Sequence, residues 1–70
     1  MDLRSAELGK EYIVKEVLTG DEEVNAFLFS LGCYSGEPIT LISRRKSGII
    51  VAIKDAKYSI DNALAQAIKI

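Results

Sequence analysis

Apolar positions are patterned most clearly between Asp21 and Gly36, read as DEEVNAFLFSLGCYSG. Val24, Phe27, Leu28 and Leu31 recur at the i, i+3, i+4, i+7 spacing of one helix face. Asp21, Glu22 and Glu23 precede them, where carboxylates favour the positive end of a helix dipole. Either Thr19 and Glu22 form a capping box or Asp21 is itself the N-cap. Gly32 suits the left-handed residue that ends a helix. The spacing therefore predicts one helix stopping at Gly32, with Val24, Phe27, Leu28 and Leu31 as its core face. Phe29 falls more than a right angle away, on the side of Asn25, where water is expected.

Elsewhere the pattern is that of strands. Glu11–Leu18 (EYIVKEVL) is rich in Tyr, Ile and Val. Alternation places Tyr12 and Val14 on one face, after which Val17 is out of step. A bulge or bend near Lys15–Glu16 would return it to the core. Glu37–Arg44 reads as a second strand, with Pro38 at its start, Ile39 and Leu41 on one face, and Thr40, Ile42 and Arg44 on the other. Arg45–Gly48 is a tight basic hairpin tip. Gly48–Lys54 is the most apolar strand, expected to be central and covered on both sides, or covered by the helix. A turn at Lys54–Lys57, with Asp55 in the left-handed region, leads to a strand at Lys57–Ile60. Asp61 then caps a helical turn, Asn62–Ala67, and Ile68–Ile70 closes the chain as a short strand. Met1–Lys10 is expected to be an irregular arm pinned by Leu3. Five strands with one helix between the first two predict a mainly β domain over residues 1–70, a small five-stranded SH3-like barrel. An OB-like barrel is the runner-up.

Composition narrows the function classes. Seventy residues make one domain, or a single module in a larger assembly, that buries about 60 % of its unfolded surface. Nine Lys and Arg against ten Asp and Glu give a net charge of -1, which argues against a nucleic-acid binder. With one cysteine, Cys33, no internal disulfide can form. No signal segment or membrane-length apolar run is visible, so a cytoplasmic protein is expected.

The order of residues adds a resemblance. Leu3, Gly9, Val14 and Val17 come first. Leu28, Leu31, Gly32 and Gly36 follow in an L-x-x-L-G-x-x-x-G spacing, then Ile39 and Leu41, and at the end Ile60, Ala65, Ile68 and Ile70. Taken together, these residues resemble the ferrous iron transport protein A (FeoA) family of small SH3-like proteins. The sequence departs from that family at Leu8 and Ser35, where proline usually precedes the glycine, and in the short Arg45–Gly48 tip. The resemblance implies a cytoplasmic accessory protein of bacterial ferrous iron uptake. Its implied partner is the cytosolic GTPase region of a FeoB-type permease. It also implies kinship with the C-terminal SH3-like module of metal-dependent repressors, and hence an alternative role as a transition-metal-binding regulatory domain.

Candidate chemistry is sparse. No histidine is present, and Asp21, Glu22 and Glu23 point in different directions on a helix, so a solvated helix start is preferred to a metal site and no cofactor is expected. Cys33 lacks a histidine base and reads better as a small apolar residue than as a nucleophile. No acid–base pair stands out, so an enzyme is not expected. Phe29 and Tyr34 are the candidates for a protein-binding surface, although Phe29 could instead cover its own Cys33–Gly36 turn or the N-terminal arm. Arg44, Arg45 and Lys46 could meet an acidic partner, against the plainer reading of a wet hairpin tip. The expected partner-binding set is thus Phe29, Cys33, Tyr34, Arg44, Arg45 and Lys46.

Overall fold

A computed structural model describes residues 1–70. A 3-10 helix, Leu3–Ser5, opens the chain, with Asp2 capping it by accepting from the Arg4 amide. Leu3 is fully buried. The chain then forms β1 (Glu11–Ile13), β2 (Glu16–Val17), α1 (Glu22–Leu31), β3 (Pro38–Arg44), β4 (Gly48–Ile53), β5 (Ala56–Asp61), α2 (Asn62–Ala67) and β6 (Ile68–Lys69).

The expected five-stranded barrel is corrected to six strands in two sheets. β1, β3, β4 and β5 make one antiparallel sheet in that order, and β2 pairs with β6 in a second. The single strand expected over Glu11–Leu18 is two strands, and the backbone bonds show why. The Val14 amide donates to the Glu37 carbonyl, and the next amide, Lys15, donates to Lys69 at 2.7 Å. Between these residues the chain leaves one sheet for the other. The expected bend is real, one residue earlier than placed. It lets Val14 be fully buried and brings Val17 against the core.

β3 carries a bulge. Leu41 pairs with Val51 and Ser43 with Ile50, so Ile42 is the extra residue and lies partly exposed. β4 is the central strand expected of its sequence, but Ile50 and Ala52 on its other face are only partly buried, so the expected cover on both sides is incomplete. Ile49, Val51 and Ile53 are buried, and both neighbours bond to it. The β4–β5 turn has two residues, Lys54 and Asp55. The left-handed residue is Lys54, with φ of 57°, and not Asp55 as expected. This shorter turn starts β5 at Ala56.

The core runs the length of the chain, from Leu3 to Ile70, and contains no buried polar residue. Its two ends meet: the Ile70 amide donates to Met1, and Asp2 bridges to Lys69.

Candidate partner-binding surface

The geometry of α1 follows from its ends. Asp21, not Thr19, is the N-cap; its Oδ1 accepts from the Glu23 amide at 2.9 Å and from Val24 at 3.4 Å. At the other end Gly32 has φ of 91°, and the amides of Gly32 and Cys33 return to Phe29 and Leu28. A side chain at Gly32 would also be crowded, its Cβ 3.1 Å from Lys54 Cε and 3.2 Å from Ile53 Cγ2. The helix end is therefore seated on the β4–β5 hairpin.

Only Leu28 of α1 is buried, with Val24 and Leu31 partly so against the core. Phe27, expected on the core face, is 55 % exposed, which corrects that reading. At about 100° per residue it stands a quarter-turn from Leu28, beyond the narrow strip that touches the sheets. Phe29 is 65 % exposed, as its wheel position implied.

After Gly32 the chain alternates. Cys33 turns in and is buried, and desolvation pushes its thiol up to about 11. It offers neither a partner contact nor a ready thiolate. Tyr34 turns back over the helix, and its ring stacks on Phe29 with centroids 4.5 Å apart. A turn holds it there, with the Glu37 amide donating to the Tyr34 carbonyl and Gly36 at φ of 92°. The Glu37 carboxylate, by hydrogen bonding and then by its charge, raises the Tyr34 phenol above its ordinary value. Phe29 thus both covers its own turn and remains open. Beside the stack lies a cleft of about 400 Å³, lined by Leu31, Ile53, Lys54 and Tyr58 among others.

The basic run does not join this surface. The Arg45–Ser47 tip lies at the Gly48 end of β4, whereas the cleft lies at the Ile53 end, about 17 Å away along a six-residue strand. Arg44 is exposed but partly engaged within the chain: its Nε and Nη2 donate to the carbonyls of Arg4, at 2.9 Å, and Ala6, at 2.6 Å, clamping the N-terminal segment. Arg45 and Lys46 are exposed, and the Lys46 carbonyl accepts from Asn62 Nδ2 at the start of α2. Tyr58 and Lys54 were missed as cleft residues. Strand alternation placed Tyr58, but nothing in the sequence showed that its edge would face the end of α1.

A family model for the FeoA domain matches residues 1–70. Comparison with curated proteins gives no match. A crystal structure of an iron uptake regulatory protein (FeoA) is similar, at 25 % identity and a TM-score of 0.85, over 97 % of this chain and 91 % of that one. Stenotrophomonas maltophilia FeoA complexed with zinc, described as a prokaryotic SH3 domain protein, aligns with a TM-score of 0.82 at 16 % identity, over 97 % and 86 % of the two chains. A manganese-dependent transcriptional repressor aligns with a TM-score of 0.84 at 24 % identity, over 97 % of this chain but 39 % of its own. The architecture is accordingly SH3-like.

Metals appear in two of these comparisons, so the donor set matters. This chain has no histidine, its one thiol is buried and held protonated, and no three acidic or thiol side chains converge. The Asp21 carboxylate is engaged in capping α1. These residues do not fit a zinc or ferrous centre built by the chain alone.

Proposed function

Because the chain belongs to the FeoA domain family, we propose that it is a small cytoplasmic accessory protein of ferrous iron uptake, working by protein–protein contact and without catalysis. Its partner is the cytosolic GTPase region of a FeoB-type permease. The observation that carries this reading is the Phe29–Tyr34 stack, an aromatic pair at a helix end whose Phe29 ring is mostly open to water beside a cleft. Rigid aromatic anchors of this kind dominate protein interfaces, because they contribute large apolar area with little conformational freedom left to lose. Arg45 and Lys46, at the opposite end of the sheet, would act only as a second, peripheral contact.

The test is direct binding of the intact chain to the cytosolic part of the matching permease. Micromolar association, weakened at least about tenfold by Phe29→Ala with the fold retained, supports the reading. No association at high micromolar concentration sinks it.

A second reading is favoured by the likeness to the manganese-dependent repressor: a module that binds a transition metal and changes partner. It predicts heat and a thermal shift on titration with Mn²⁺ or Fe²⁺. Silence in both measurements disposes of it.

A further inference from the structure

We propose that the free edge of β5 is a self-association site, where two copies of this chain join antiparallel about Ser59 into one continuous sheet. The proposal is independent of the permease reading.

β5 ends the four-stranded sheet and pairs only with β4. The other end, β1, has three residues; β5 has six. The direction of its polar groups can be followed from one bond. The Gly48 carbonyl accepts from the Arg45 amide at 2.7 Å, so Gly48 faces β3. Alternation then turns Ile49, Val51 and Ile53 toward β5. Their partners Ile60, Tyr58 and Ala56 use their amides and carbonyls inward. Lys57, Ser59 and Asp61 therefore present theirs outward, and the side chains of all three are exposed. No turn or cap hydrogen bond reaches the amide of Lys57 or Ser59. Six residues of edge without proline are a template for another strand.

Charge selects both the occupant and the register. Outward residues must oppose outward residues, so allowed registers differ by steps of two. Centring on Lys57 sets lysine against lysine. Centring on Tyr58 brings Asp61 against Asp55 of the second copy, and centring on Asp61 sets two aspartates together. Centring on Ser59 places Lys57 opposite Asp61 of the second copy, and the symmetry repeats the pair. It alone gives two opposite-charge pairs, the arrangement that favours a cross-strand pairing. Asp61 can serve both roles, because only its Oδ1 is engaged, accepting from the Leu64 amide at 2.8 Å.

The two-fold axis of such a pair stands perpendicular to the sheet, so both inner faces look the same way. The end of α1 lies over that face at Ile53. Two Phe29–Tyr34 surfaces would then face the same way from opposite ends of the joined sheet, the geometry of a bivalent binder. One strand edge is a small interface, so the association is weak.

Sedimentation and amide hydrogen exchange of the intact chain, from micromolar to millimolar concentration, test this together. The average mass should climb toward the dimer. Over the same range the Lys57 and Ser59 amides should slow by about tenfold, while Tyr58, already in the ladder, stays unchanged. Lys57→Glu, a surface change, should weaken association at least about tenfold by opposing two acids. Ser59→Pro should abolish it by removing an amide that the monomer does not use; if that variant fails to fold, Lys57→Glu carries the test. A chain that stays monomeric at millimolar concentration overturns the proposal. So does a dimer in which Lys57 and Ser59 exchange as before, or one indifferent to Lys57→Glu.

Discussion

β4 and α1 are both rich in apolar residues, and the fold treats them in opposite ways. In β4 every second side chain is buried and strands bond to it on both sides. In α1 one residue of ten, Leu28, is buried, and two phenylalanines stand in water. Fully burying a phenylalanine is worth roughly 1.5–3 kcal/mol, and α1 leaves more than half of that surface exposed at both in a chain too small to be indifferent to it. The apolar residues of β4 are explained by folding. Those on the outside of α1 are not, and the proposed partner surface rests on this difference.

The sharpest way to break the comparison is to cut equally into both regions. Leu41→Ala, beside β4 and fully buried, should cost about 2–5 kcal/mol, enough to leave much of so small a domain unfolded. Urea titration should show it. If Leu41→Ala were as mild as a change on the outer face of α1, the contrast between sheet and helix would be false.

The next effect concerns pH. Burial raises the Cys33 thiol from 9.0 to about 11, so the folded state holds its proton where the unfolded chain releases it. The stability held by the neutral thiol is complete below pH 9 and declines as pH rises toward 11, at up to about 1.4 kcal/mol per unit. Other groups titrate in this range, so the informative quantity is the difference between the parent chain and Cys33→Ala, whose stability should fall less steeply.

Gly32→Ala follows, with an expected loss of about 1–2 kcal/mol. The positive φ alone costs ~1 kcal/mol for a side chain, and the new methyl would press on buried Ile53. Thermal unfolding measures the loss. The same variant should disturb the Phe29–Tyr34 stack, because Gly32 directs the chain that carries Tyr34 back over Phe29.

Much of this architecture was legible along the chain. α1, its stop at Gly32, the Asp61 cap and the central place of β4 all follow from local rules: periodicity, capping and left-handed glycine. The sheet change at Val14–Lys15 was visible only as a break in alternation, because two strands that pair with different partners still look like one run. Phe27 was misread since periodicity gives the direction of a helix face but not its width. A helix seated on a rim buries a narrower stripe than one lying across a sheet. At the surface, Phe29 and Tyr34 could be named separately, but their stacking depends on the turn between them. The hold of Arg44 on the N-terminal segment was invisible because its partners, the carbonyls of Arg4 and Ala6, are backbone groups about forty residues away, which no side-chain pattern announces.

The smallest expected effect on stability is the most telling for function. Phe29→Ala removes a ring that is mostly in water and whose packing partner, Tyr34, is held by its own turn. The stack is worth about 0.5–1.5 kcal/mol when fully formed, and alanine, a better helix former, returns about half of that. The net change in unfolding free energy should fall below about 1 kcal/mol, with the helix signal in circular dichroism unchanged. A larger loss would mean that Phe29 is a structural clasp for the Cys33–Gly36 turn, and the distinction between buried sheet and available helix would then fail at the residue on which it chiefly depends. A small loss, with partner binding reduced at least about tenfold, would show that the ring left outside the core serves another molecule.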